Sequence, residues 1–202
     1  MGLVRRTTKR REGAPPVPAL SALDSDDPET RRRGVLRLDA RPGAMSALLE
    51  HLAGEPDTAA RDAMLTVLAD QDSDVVARSL VTHLSSEDPA LRTAVVVALA
   101  TMTHAVPPLL PELTTSPDPD VRILSAMLLA NLAHPAVVPA LEGMIATDPH
   151  PNVVAAAIDA LLPTATTAHL GLLQDVLTRF PADPFLQFTI SAAIPALEVN
   201  SP

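Results

Sequence analysis

Asp118-Pro119-Asp120-Val121-Arg122 reads as the opening of a helix in which each residue has a local task. The Asp carboxylate can accept from the free amides of a first turn. Pro at the first helical position lacks an N–H that would have had no partner. Leu124, Met127, Leu128 and Leu132 follow at helical spacing and make one apolar face. The same opening stands upstream as Asp88-Pro89-Ala90-Leu91-Arg92, with Ala94, Val95, Ala98 and Leu99 carrying the rhythm. It recurs as Asp57-Thr58-Ala59-Ala60-Arg61 and as Asp27-Pro28-Glu29-Thr30-Arg31. Two looser copies lie downstream, His150-Pro151-Asn152-Val153-Val154 and Asp183-Pro184-Phe185-Leu186-Gln187. The fifth position falls at 31, 61, 92, 122, 154 and 187, a period of 30 to 33 residues, and a fixed period of that size marks a stacked repeat.

Between these openings lie second helical stretches, over residues 44–53, 74–84, 106–113, 137–146 and 168–179. Two short helices per repeat cannot bury their apolar faces alone, and stacking the pairs buries them in one continuous core. The residue inventory agrees. The chain is 47% apolar, yet it has no Trp, Tyr or Cys and only Phe180, Phe185 and Phe188 as aromatics. Ala, Leu, Val, Ile and Met suit closely packed helices, whereas sheets favour β-branched and aromatic residues. The expectation is an all-α solenoid of five to six helix pairs over residues 18–198.

The Asp-Pro-x-x-Arg opening, the small aliphatic first helix and the second-helix start Val138-Pro139-Ala140-Leu141 resemble HEAT repeats, in the compact bacterial form seen in phycobilisome-lyase-like proteins. The resemblance spans about residues 18–198. It implies a right-handed superhelix whose second helices line a concave face. It also implies a scaffold or adaptor that binds a protein partner there, or alternatively an accessory subunit of a bilin lyase-type enzyme. The architecture hosts many activities, so function must come from the site.

Charge is unevenly spread. Residues 1–41 carry a net +4 and residues 42–202 a net −13. Residues 1–17 combine Arg5, Arg6, Lys9, Arg10 and Arg11 with Gly13, Pro15 and Pro16, and read as a disordered basic tail outside the solenoid. The first residues lack the apolar run of a secretory signal, and no apolar stretch reaches the ~18 residues of a membrane span. A cytoplasmic protein without disulfides is expected. The bias to Arg, Ala and Pro suggests a bacterial source.

Arg31, Arg61, Arg92 and Arg122 recur at one helical position, each four residues after Asp27, Asp57, Asp88 or Asp118. Read structurally, they form a ladder that pairs with the helix-start Asp and carbonyl groups of adjoining repeats. Specific nucleic-acid binding is not expected, because the body is acidic and lacks Trp and Tyr for base stacking. No metal or other cofactor is expected. None of the six histidines, His51, His83, His104, His134, His150 and His169, is followed by Glu, and repeat equivalence explains their spacing. No catalytic residue is assigned, since no nucleophile motif or glycine-rich phosphate loop is present. A protein-binding face is expected on the second helices, from Glu50, His51, Asp74, Arg78, His83, Glu112, Glu142, Gln174 and Asp175. The aromatic-bearing end, Arg179 to Phe188, is expected to cap the core, as a terminal repeat must.

Overall fold

The computed structural model describes residues 19–38 and 42–199, and the expectation of a basic tail over residues 1–17 falls outside them. Every copy of the signature opens a helix. These first helices are α1 Pro28–Val35, α3 Thr58–Ala69, α5 Pro89–Ala100, α7 Pro119–Leu129, α9 Pro151–Leu161 and α11 Pro184–Val199. The carboxylates of Asp27, Asp57, Asp88 and Asp118 accept from the amides of Thr30, Ala60, Ala90 and Asp120 at 2.8–3.0 Å. Asp183 accepts from Leu186 at 2.9 Å in the same way. At the start of α9 His150 replaces the Asp, and its side chain makes no cap bond.

The second helices are α2 Pro42–Leu52, α4 Asp74–Val81, α6 Leu110–Thr114, α8 Val137–Thr147 and α10 Leu170–Arg179. Short 3-10 turns extend three of them: Thr82–Ser85 after α4, Pro107–Leu109 before α6 and Thr167–His169 before α10. Proline shortens α6. Pro107, Pro108 and Pro111 each remove an amide donor, so the stretch divides into one 3-10 turn and a five-residue helix. No strand occurs among the described residues.

The first helices pack in chain order, α1 on α3 through to α7 on α9, and make one layer. Each second helix packs on the first helix of the following repeat, as α2 on α3 and α8 on α9, and makes the other layer. Helices of this length are marginal in isolation, so the stacking is what stabilises them. One apolar cluster runs without interruption from Leu23 to Ile190. Its register follows the repeat. The residue three places after the ladder position is buried in all six first helices: Gly34, Met64, Val95, Ser125, Ala157 and Ile190. The residue seven places after it supplies buried Leu68, Leu99, Leu129 and Leu161. Over the described residues the fold is an α-solenoid of five helix pairs followed by α11.

The N-terminal end of the stack needs a small residue at that register. A Cβ on Gly34 would lie 2.5 Å from the Cβ of Ala22 and 3.0 Å from the carbonyl oxygen of Ala19. The turn before α1 therefore sits directly on the α1 backbone and brings Ala22 and Leu23 into the core. Gly34→Ala should gain helix propensity but push this turn off, with a net loss of about 1–3 kcal/mol. A chemical denaturation series would read that loss as a lower midpoint, and an unchanged midpoint would refute the close-packed cap.

Candidate interaction surface and arginine ladder

The turns before α1, α3, α5, α7 and α9 repeat one hydrogen-bond pattern. The side chain two residues ahead of the N-cap accepts the N-cap amide: Ser25 from Asp27, Glu55 from Asp57, Ser86 from Asp88, Ser116 from Asp118, and Asp148 from His150. The ladder arginine then folds back six residues and donates to the carbonyl of that same position. Arg31 donates to Ser25 at 2.7 Å, Arg61 to Glu55 at 2.7 Å, Arg92 to Ser86 at 2.9 Å and Arg122 to Ser116 at 2.7 Å. Arg is suited to this because its planar fork offers several donors at once.

The remaining N–H groups reach the next repeat. Arg31 grips Glu55 through Nε and Nη2 at 2.7 and 2.6 Å, and Arg122 grips Asp148 at 2.6 and 3.1 Å. Arg61 reaches Asp88 at 3.0 Å, while Arg92 makes only the Ser86 contact among the described residues. The Asp four residues before each Arg is thus a cap for its own helix, and the acid that meets a guanidinium belongs to the following repeat. Glu55 and Asp148 were not singled out from sequence. Their signal was legible as an acid two residues ahead of the N-cap, where the other turns carry Ser. Gln187 stands in the ladder position of the last copy and donates to the carbonyls of Leu177 and Phe180, both at 3.1 Å.

Glu55 is 4% exposed and Asp148 6%. The Arg31 guanidinium holds the Glu55 carboxyl below its usual value against burial, with the Asp57 amide adding to the effect. Burial pushes Asp148 up, but the Arg122 guanidinium and the His150 amide outweigh it and leave it lowered.

Two further ties join neighbouring repeats. Asp72, at φ 37°, uses a left-handed conformation that Asp tolerates to aim its carboxylate at the next turn. It accepts from the amides of His104 and Ala105 and lies 2.7 Å from His104 Nδ1. Arg179 donates to the carbonyls of Ile145 and Ala146 at the end of α8 and lies over the Phe180 ring. His51 faces two acceptors, Ala47 O at 2.8 Å from Nδ1 and Asp24 Oδ1 at 3.1 Å from Nε2. Only the imidazolium can donate to both, and these two groups raise its pKa, the carbonyl first.

The second-helix candidates are spread along the layer. Glu50, Asp74, Gln174 and Asp175 are exposed on α2, α4 and α10. Arg78 and Glu112 meet across α4 and α6 at 3.6 Å, both largely exposed. Glu142 of α8 lies 3.4 Å from Nε2 of buried His169, ahead of α10. His83 is half-buried, and desolvation lowers its pKa. Val75, beside Asp74, is 74% exposed and carries no sequence signal that separates it from a core valine. Within the end expected to cap the core, Leu186 is buried and Phe180 packs against the apolar cluster, with Ile190 buried beyond them, whereas Phe185 and Phe188 are 56% and 75% exposed on the other face of α11. Among the described residues, no three His, Asp or Glu side chains converge as metal ligands would, and no helix is long and apolar enough to cross a membrane.

The family model for HEAT repeats matches residues 106–190, which is less than half of the chain. A chain from the structure of microtubule plus-end tracking by XMAP215, CLIP-170 and EB1 superposes with a TM-score of 0.54 and 14% identity, over 91% of each chain. At that identity the likeness is one of fold. An engineered protein gives 21% identity over 90% of this chain and 95% of its own, with a TM-score of 0.37. No curated protein matches the sequence.

Arg122→Met leaves Asp148 buried without its cation and should cost about 3 kcal/mol, of which Asp148→Asn in the same chain should restore part. Equal losses in the single and double variants, measured by denaturant titration, would show that the pair is not the source. The pH response has two limbs with opposite signs. Glu55 and Asp148 are depressed, so their stabilisation is present above the ordinary values of 4.5 and 3.8 and is lost as pH falls below them. His51 is raised, so its share is complete below 6.5 and is lost as pH rises beyond that value. Melting curves from acid to alkaline pH should show both limbs, and His51→Gln should flatten only the upper one.

Proposed function

We propose that this protein is a non-catalytic interaction scaffold that binds a protein partner across its second-helix layer. The observation that carries this reading is the group of Val75, Asp74, Arg78 and Glu112 on α4 and α6. An exposed valine there stands beside charges that the fold does not use, with Arg78 and Glu112 only loosely paired at 3.6 Å. Exposed pairs of that kind contribute little to stability, so the two side chains are free to exchange partners at low cost. The ladder arginines, by contrast, are taken up by loop carbonyls and acids.

Support also comes from the HEAT-repeat match and from the solenoid likeness, since stacked helix pairs present long continuous surfaces. Within the HEAT-like class we place the chain with the compact bacterial, phycobilisome-lyase-like form, on its Asp-Pro-x-x-Arg openings. Its setting in this reading is a bacterial cytoplasm, argued from the Arg bias and the lack of Cys. Glu50, His51, His83, Glu142, Gln174 and Asp175 extend the same face on either side of the central group.

The full chain used as bait in a native extract should retain one partner at near-equal stoichiometry. Val75→Asp combined with Arg78→Glu should weaken that complex at least about tenfold, or ~1.4 kcal/mol, with an unchanged circular dichroism spectrum. Undiminished capture by the double variant would overturn the assignment of this face.

A further inference from the structure

We infer that the opposite face, the outer surface of the first-helix layer, docks a cationic amphipathic helix from a partner protein. The site is a groove of about 400 Å³ between α3 and α5. Its depth comes from small side chains, Ala69 on α3 with Ala94 and Ala98 on α5, which leave room between the two helices. Val97, 64% exposed, stands on one lip, and Asp62 and Asp70 stand on the other. The apolar surface continues onto α7, where Met127 occupies the same repeat position as Val97 and is 45% exposed.

Charge selects the occupant. Among the described residues the only cations on α3, α5, α7 and α9 are Arg61, Arg92 and Arg122, and all three are turned to loop carbonyls. Asp62 and Asp70 rim the apolar groove, Asp120 and Asp159 are exposed elsewhere on this layer, and the nearest other helix cations, Arg32 and Arg33 of α1, are paired with Glu29. A helix laid along α3 would cover about 18 Å, or some 12 residues. Asp62 and Asp70 are eight residues apart, about 12 Å along the axis. The matching ligand therefore carries Lys or Arg two turns apart, beside aliphatic residues at i, i+3, i+4 and i+7 that fill the groove. This surface is separate from the second-helix face, and either can fail without the other.

The probe is a fluorescein-labelled Leu/Lys peptide of about 16 residues with its leucines on one helical face, titrated by the full-length protein and read by anisotropy. Its control has the same composition in an order that gives no apolar face. Saturable binding of the first peptide and at least tenfold weaker binding of the second is the expected result. Val97→Asp should weaken binding about tenfold or more, and Asp62→Asn with Asp70→Asn should do so about five- to tenfold with a shallower salt dependence. Asp26→Asn with Glu87→Gln removes the same charge from exposed loop positions and should leave affinity within twofold. Equal binding of both peptides, or equal losses from the groove and loop pairs, would reduce the effect to non-specific attraction and overturn the proposal. Neutralising Arg5, Arg6, Lys9, Arg10 and Arg11 to Gln should leave affinity unchanged; a tenfold gain would identify the chain's own N-terminal segment as the occupant. A concentration-dependent dimer in sedimentation, lost in Val97→Asp, would identify a second copy. Either result would overturn the assignment to a partner.

Discussion

The stack depends on one side chain, the ladder arginine, which does two jobs in three of its four copies. A ladder arginine donates to a carbonyl six residues behind it, which closes the turn that feeds its own helix. In three of four cases it also reaches an acid of the next repeat. Helix direction is set by the first contact and repeat spacing by the second. Apolar packing alone specifies neither, because a core of Leu, Ala and Val tolerates sliding in a way that a forked guanidinium does not. The nearly dry environment of Glu55 and Asp148 makes an unpaired charge there costly, so the tie also selects against a slipped register.

Variation along the chain follows from that constraint. Where the turn carries Ser86, the hydroxyl accepts the N-cap amide and the preceding Arg61 meets the capping Asp88 itself; where it carries Ser116, the preceding Arg92 meets no acid among the described residues. Where it carries Glu55 or Asp148, one carboxylate serves both the amide and the arginine. The fifth repeat looks degenerate because His150 has displaced the capping Asp. Its acid has moved two residues upstream, and the tie from Arg122 survives. Gln187 keeps the carbonyl contacts without a charge.

Tying up the repeated cations in the turns has a consequence for the surfaces. The exposed charge left on α3, α5, α7 and α9 is acidic, and the other helix cations lie on α1, where Arg32 and Arg33 pair with Glu29, and on second helices, as Arg78 and Arg179. The two layers therefore differ in chemistry. One presents a mixed pair of charges beside Val75, and the other an apolar groove edged by Asp62 and Asp70.

Much of the fold was legible in the sequence because its determinants are local. Asp at the N-cap, Pro at the first helical position and an apolar residue every third or fourth place depend on neighbours within one turn, so period and helix starts could be read directly, whereas Met127, read onto the apolar face of its helix, is 45% exposed. The stretch over residues 106–113, read from sequence as one helix, is instead divided, because Pro107, Pro108 and Pro111 each lack an amide donor. What needed the tertiary structure were contacts between residues 24 to 34 apart: Arg31 with Glu55, Asp72 with His104, Arg179 with α8. Periodicity places such residues at equivalent positions but does not say which neighbouring turn a long side chain will meet. The exposure of Val75, Val97, Phe185 and Phe188 was likewise invisible in the one-dimensional pattern. An apolar residue at helical spacing is written the same way whether the next helix covers it or leaves it bare, and only the packing of one layer on the other decides that.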